Sequence, residues 1–348
     1  MPFDAWPAVD QDAWNRATSP GTALLDAGPG AHWRHATKTR YRQAYGAWLA
    51  FRAAHGGLDP NTTPEERITR DDVQAYIEHL RARDLSSRTV ATYLQAIHNT
   101  FWAIAPETDW SWLKQIVNFL VRNAAPAQID QSRIHPIDEV YAAALKLMDR
   151  AERMTPKRPF HDSIWFRDGL MVAVAAATAL RRRNLALLEP GRHLIRQADG
   201  WYLAIPGEEV KNHLPIEGWL PRSLTPYLDR YLEQHRPRLL QGRHSSLLWV
   251  NQYGEPLSIN SISDRFLKVT TRLGYPMKPH DMRRSAATTI AELRPDLAPM
   301  IGPFLGHRGP HTSERCYNKA QMLVSVRRHT ETVMARKNGL RHIDSVAF

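Results

Sequence analysis

The 348 residues are 43% apolar and 23% charged, enough for two packed domains and ordinary for a water-soluble chain. No apolar run approaches the length of a membrane span, and Met1 to Asp12 carries aspartates but no basic residue, unlike a signal peptide. A single cysteine, Cys316, excludes an internal disulfide framework, and no Cys/His cluster has zinc-ligand spacing, so a reducing cytoplasm is the simplest setting.

The formal net charge of +11 is unevenly placed. Residues 1–133 hold 14 basic and 14 acidic side chains, whereas residues 134–348 hold 32 and 21. A basic domain beside a neutral one concentrates a polyanion, and nucleic acid is the commonest polyanion in a cell. A solvated, colloidally stable surface accounts for the charge equally well.

Residues 1–33, rich in Ala, Pro, Gly and Asp, show no sustained period and are expected to form a loosely ordered arm. From His35 the pattern becomes helical, with Tyr41, Tyr45, Trp48, Leu49 and Arg52 along one stripe. Lys38, Arg40 and Arg42 crowd the first turns of that helix, where cations oppose its dipole. Phosphate contact and plain solvation both account for them. Thr69 is expected to cap a second helix, with Asp71 and Asp72 in its first turn and Val73, Tyr76, Ile77 and Leu80 inward. Ser86 or Ser87 starts a third, which places Arg88 in its first turn and has the stripe Val90, Tyr93, Leu94, Ile97 and Phe101. A fourth runs through Trp112, Leu113, Ile116, Val117 and Leu120. Four amphipathic helices without a strand signal make a small bundle over residues 34–125. Residues 126–136, bounded by two prolines, read as a linker.

Beyond it, helices are expected over Ile137–Met154 and His161–Leu180, the second ending in an Ala-rich run. Arg192–Ile195, Trp201–Ile205 and Ile216–Leu220 then suggest a three-stranded meander. Helical patterns resume over Leu224–Leu232, Ile259–Leu273, Met282–Leu293 and Gln321–Arg336. The second domain, 137–348, is therefore mainly helical with one small antiparallel sheet and a C-terminal helix and tail.

Chemistry-bearing residues concentrate in that domain. Arg181 follows the Ala-rich helix, His280 and Arg283 lie three apart at a predicted helix start marked by Pro279, and Leu305-Gly306-His307 precedes Tyr317 by ten residues. A tyrosine attacks a phosphodiester only if fixed cations hold the phosphate and neutralise its developing charge, and arginine offers planar, permanently charged donors for that. Each piece has an ordinary reading: Arg181 as a solvent boundary, Tyr317 as half-buried packing, and Cys316 as a small packing residue.

Together the ordered set Arg181, His280-Asp-Met-Arg283, Leu305-Gly-His307 and Tyr317 resembles the tyrosine recombinase, or phage integrase, family over roughly residues 35–335. The resemblance implies a four-helix, SAM-like core-binding domain followed by the catalytic domain, and a site-specific recombinase that cuts and rejoins DNA through a 3′-phosphotyrosyl intermediate. It assigns Arg181 and Arg283 to the phosphate, His307 to a phosphate oxygen, His280 to the tyrosine proton and Tyr317 to attack. Lys211, between the second and third strands, becomes the donor to the leaving 5′ oxygen. Lys38, Arg40, Arg42 and Arg88 become DNA contacts. Many relatives carry an acid where this chain has Asn184, which puts acid-dependent support of the site in question. The partner implied is double-stranded DNA, bound by four protomers on two sites, with a monomer or weak oligomer off DNA, in the cytoplasm at the nucleoid. No cofactor, metal or membrane is implied, and the 33 leading residues are short for a separate arm-binding domain. A relaxing type IB topoisomerase-like enzyme or a hairpin-forming resolvase shares the chemistry, and a DNA-binding relative that lost catalysis shares the fold.

Overall fold

A computed structural model describes residues 1–126, 130–156 and 158–305, which fall into two compact units, 1–129 and 130–348.

The N-terminal unit is built from α1 (Ala8–Thr18), α2 (His35–Ala54), α3 (Arg70–Ala82), α4 (Ser87–Ile104) and α5 (Ser111–Arg122). The expected caps form. Thr69 Oγ1 accepts the Asp72 N–H at 3.2 Å while Asp72 accepts the Thr69 N–H at 3.0 Å, and Ser86 Oγ accepts the Thr89 N–H at 3.2 Å. Each satisfies donors that the first helical turn leaves open. The core gathers Tyr45, Trp48, Leu49, Tyr76, Leu80, Leu94, Ile97 and Phe101 from the inward stripes.

Residues 1–33 differ from expectation. They are not a loose arm: α1 forms, and Trp6 and Trp14 are buried in the same core as Tyr45 and Phe101. Trp6 meets Tyr45 edge-on with ring centroids 5.0 Å apart. Asp10, fully buried, accepts from Tyr45 Oη at 2.6 Å and from Arg67 Nη2 at 2.5 Å. Gly46, inside α2, fits this crossing, because a Cβ there would collide with the Met1 carbonyl oxygen and meet Trp6 Nε1 at 3.1 Å. A glycine within a helix costs about 1 kcal/mol relative to alanine, and here it makes room for the crossing chain.

The C-terminal unit begins with α6 (Ile137–Arg153) and α7 (His161–Thr178), which pack closely. A Cβ at Gly169 would approach Met148 Cγ to 2.8 Å, so the glycine sets the spacing. α7 is buried along almost its whole length, from Phe166 through Ala176, which its small side chains permit. A short α8 (Arg182–Ala186), absent from the expected elements, leads into β1 (Leu194–Gln197), β2 (Gly200–Ile205) and β3 (Ile216–Trp219). The sheet is an antiparallel meander with Leu194 opposite Leu203 and Ile205 opposite Ile216. Leu194, Leu203 and Ile205 join the core, while Tyr202 and Trp219 stack edge-on at 5.3 Å.

Next, α9 (Thr225–Arg230) continues through a wide-turn stretch, Tyr231–His235, into α10 (Arg236–Leu240). Pro237 has no N–H to bond the preceding turn, which accounts for the local widening. α11 (Ile259–Arg272), α12 (Pro279–Leu293) and α13 (Ile301–Phe304) complete the described chain. The segment entering α6 is tied to α12: the His135 N–H donates to Ser285 Oγ and the Ile137 N–H to Thr289 Oγ1, both at 3.1 Å. The expected helix over Gln321–Arg336 lies outside the described residues. No helix among the described residues is long and apolar enough to cross a membrane.

Candidate active site

Four of the six expected catalytic residues are described, and all four line one cavity of about 880 Å³ in the C-terminal unit: Arg181, Lys211, His280 and Arg283. They come from three separate places in the chain: the turn before α8, the β2–β3 excursion and the start of α12. His307 and Tyr317, with Cys316 beside it, lie outside the described residues.

Arg181 is placed by a sharp reversal. α7 ends at Ala179, whose φ of 46° and ψ of 35° put a non-glycine residue in the left-handed region. Such a conformation is unfavourable for a residue bearing a Cβ and persists only where its surroundings hold it. They do: Ala179 is buried with Ala286, Ala287 and Leu305, and its carbonyl oxygen accepts from Arg283 Nη1. Leu180 and Leu185 then enter the core on either side of Arg181, the N-cap residue of α8, whose carbonyl oxygen accepts the Leu185 N–H at 2.9 Å. Partial burial holds the Arg181 guanidinium below its ordinary value.

Arg283 and His280 share the first turn of α12, which starts at Pro279. The Lys278 N–H donates to Asp281 Oδ2 at 2.9 Å, fixing that start. Arg283 is buried, donates through Nη1 to Ala179 and through Nη2 to the Leu305 carbonyl at 2.5 Å, and so ties three segments together. Burial first, and then the nearby charge of Arg181, pull its guanidinium down to about 10, which leaves it charged at neutral pH. Two cations so close repel each other and are stabilised by an anion between them. His280 is held below its ordinary value by desolvation first, then by Arg284 and Arg283, against the opposing pull of Asp281. Its imidazole is therefore mostly neutral near pH 7 and able to accept a proton.

Lys211 lies on the excursion between β2 and β3, exposed between buried Val210 and Asn212. That alternation turns its ammonium outward, toward the cavity whose wall also includes Asn260, Ser263 and Asp264 of α11. Arg182 Nη1 reaches Ser263 Oγ at 3.3 Å and links α8 to α11. Lys278 is also on the cavity wall, and α8 was missing from the expected elements because five residues are too few to give a period. A neighbouring hollow of about 370 Å³ shares Arg181 and Arg283 and is walled by β3 and Leu305.

The expected DNA contacts of the N-terminal unit divide. Arg40 and Arg88 line one shallow hollow with Thr92 and Gln95. Lys38 instead donates to the Thr18 carbonyl at 2.9 Å, and Arg42 lies over the Phe3 ring at 5.5 Å, so both bind the N-terminal segment to α2.

The model of the phage integrase family matches residues 142–323, more than half of the chain and a span that contains all six expected catalytic positions. The chain is 24% identical over 265 residues to tyrosine recombinase XerD of Listeria monocytogenes serotype 4b (strain F2365), covering 75% of this chain and 80% of that one. Among solved structures, it is similar in fold to XerH site-specific recombinase bound to a palindromic difH substrate in a post-cleavage complex. There the TM-score is 0.56, with 18% identity and coverage of 83% of this chain and 78% of that one. A lambda integrase dimer bound to a COC′ core site gives a TM-score of 0.52 at 18% identity, over 83% and 90% of the two chains. The chain therefore belongs to the phage integrase family, the tyrosine recombinases.

Proposed function

We propose that Arg181, Lys211, His280, Arg283, His307 and Tyr317 carry out in this chain the breaking and rejoining of DNA that defines its family. The observation that supports this most is the convergence of Arg181, Lys211, His280 and Arg283 on one cavity. Arg181 and Arg283 grip the non-bridging oxygens of the scissile phosphate and offset the charge that grows there in the transition state. His307 adds a hydrogen bond to the same phosphate. Neutral His280 takes the phenolic proton of Tyr317, whose free pKa of about 10 keeps it protonated at neutral pH without such help. The Tyr317 oxygen bonds to phosphorus while the bond to the 5′ oxygen breaks, and Lys211 supplies the proton that the departing oxygen needs. The product is a 3′-phosphotyrosyl link and a free 5′ hydroxyl. Attack by the 5′ hydroxyl of a partner strand reverses the step and returns the proton, so the bond energy is kept without ATP.

The substrate in this reading is double-stranded DNA in the cytoplasm, with four protomers joining two sites. Arg40 and Arg88 contact its backbone from the N-terminal unit.

The test uses a duplex selected by the protein from a random-sequence pool and nicked just 3′ of the cleavage point, so that the short fragment carrying the free 5′ hydroxyl escapes and the adduct is trapped. The wild type is expected to give a covalent band on a denaturing gel, and Tyr317→Phe to give none while binding the duplex nearly as well. A covalent band from Tyr317→Phe would move the nucleophile elsewhere and overturn the assignment.

A further inference from the structure

The loop that carries Lys211 is fastened at the residue two positions before it, by side chains outside the catalytic set. Asn184 Nδ2 donates to the Glu209 carbonyl oxygen at 3.3 Å, and Asn184 is buried. A backbone carbonyl can only accept, so the partner must present an N–H; the amide does so and an ionised acid could not. The Glu209 carboxylate is held by Arg192 Nη2 and lies 3.1 Å from Nε2 of buried His193. His193 is itself set from the other side, because its Nδ1 accepts the Glu189 N–H at 3.2 Å. That bond requires Nδ1 to carry no proton, and Nε2, although close to the Glu209 carboxylate, makes no aligned hydrogen bond with it.

The rest of the loop is short of freedom. The Val210 N–H donates to the Gly207 carbonyl at 3.0 Å, and the His213 N–H to the Val210 carbonyl at 3.1 Å. A Cβ at Gly207 would meet the His213 oxygen at 2.7 Å, so the loop closes tightly on itself. Val210 is fully buried immediately before exposed Lys211. A brace at Glu209 thus sets where the ammonium of Lys211 can reach.

We propose that Asn184, with Arg192, is a positioning group for Lys211, acting through Glu209 and affecting the protonation of the leaving 5′ oxygen. Asn184 stands where many relatives have an acid, and in this chain its work is to donate rather than to accept. Substitution by aspartate places a carboxylate oxygen against a carbonyl oxygen, which repels and releases the loop. The inference rests on the reading of Lys211 as the general acid.

The experiment compares cleavage of two versions of the nicked duplex, one normal and one with sulfur replacing the bridging 5′ oxygen. A thiolate leaves readily without a proton, so a defect in proton donation disappears on the sulfur substrate, whereas a defect in folding or phosphate binding persists. Lys211→Ala is expected to be slow on normal DNA and restored on the sulfur substrate. Asn184→Asp is expected to lose on the order of tenfold on normal DNA, the scale of one hydrogen bond in a barrier, and to recover on the sulfur substrate. Combined with Lys211→Ala it should add no further loss, because both act on one step. Glu209→Gln, on a half-exposed side chain, should give a smaller loss with the same recovery.

Full activity of Asn184→Asp on normal DNA, or an equal loss on both substrates, overturns the brace while leaving the function intact. Failure of the sulfur substrate to rescue Lys211→Ala overturns the acid assignment and the brace with it. Absence of any adduct from the wild type overturns the recombinase reading itself.

Discussion

In the N-terminal unit Arg67 is 6% exposed and faces the carboxylate of Asp10, whereas in the C-terminal unit Arg283 is 7% exposed and faces the carbonyl oxygens of Ala179 and Leu305. The burial is the same and the electrostatics are not. A carboxylate cancels the guanidinium charge; carbonyl dipoles hold its geometry and leave the charge in place. The same contrast runs wider, since Arg52 meets Asp72 in the first unit while Arg283 shares its neighbourhood with Arg181 in the second. Arg67 is an internal fastener, as Arg167 against Asp168 is in the second unit, whereas Arg283 is held, among the described residues, by carbonyls alone and is suited to bind an anion. An anion arriving between Arg181 and Arg283 lowers the cost of holding the two like charges together.

The largest expected effect breaks the fastener. Asp10→Ala leaves Arg67 buried without its counter-charge and removes the acceptor of Tyr45, whose hydroxyl pKa is already raised by burial and by Asp10. Breaking such a buried pair costs about 3–5 kcal/mol. Denaturant unfolding of the whole protein should show the N-terminal unit melting first and earlier by that amount. An unchanged profile would make α1 a dispensable appendage, as the composition of residues 1–33 suggests.

Arg283→Ala tests the opposite use. Losing one transition-state donor is expected to slow adduct formation by on the order of a hundredfold, and the left-handed turn at Ala179 loses its partner as well. Arg284, half-exposed and 3.8 Å from Asp281, should change cleavage little at pH 7.5 when replaced by alanine. Equal losses from the two neighbours would mean that position along α12 does not select the clamp.

What could be read in advance follows from the same physics. The proposed clamp residues could be named because their order along the chain resembles the family's, and the caps at Thr69 and Ser86 could be read because they are local. α1 was not legible: its tryptophans are masked by Ala, Pro and Asp, and the signal that something crosses α2 was a single glycine, Gly46, in a helix interior. Nor was the partner of Asn184, since Glu209 is 25 residues away and the bond uses a backbone atom. Among the basic residues of α2, sequence position gave no means to separate Lys38, which fastens the N-terminal segment, from Arg40, which faces a hollow.

That division gives a smaller effect to measure. Arg40→Ala and Arg88→Ala should each weaken DNA binding uniformly across sequences and reduce the slope of log affinity against log salt by about one. Lys38→Ala should leave the slope unchanged and act on stability alone. A change in slope for Lys38→Ala would place its ammonium on the phosphate backbone.

The smallest effect concerns protons. His280 must be neutral to accept the Tyr317 proton, and desolvation, then Arg284 and Arg283, hold its pKa below the ordinary value of about 6.5. Below that value the unfolded chain takes up a proton at His280 before the folded one does, so the residue's contribution to stability falls as pH falls, and the reactive form is lost in the same direction. Single-turnover cleavage should therefore be flat near pH 7 and decline only on the acid side of about 6.5. Removing Arg284 takes away the second-largest cause of the depression and leaves the largest. In Arg284→Ala the acid limb should shift upward but stop short of the ordinary value, a change of a few-fold in rate near pH 6. The comparison is of the shape of the two pH profiles, so a uniform loss from weaker DNA contact does not disturb it. An acid limb that stays in place when Arg284 is removed would assign the limb to another group and take the proton-accepting role from His280.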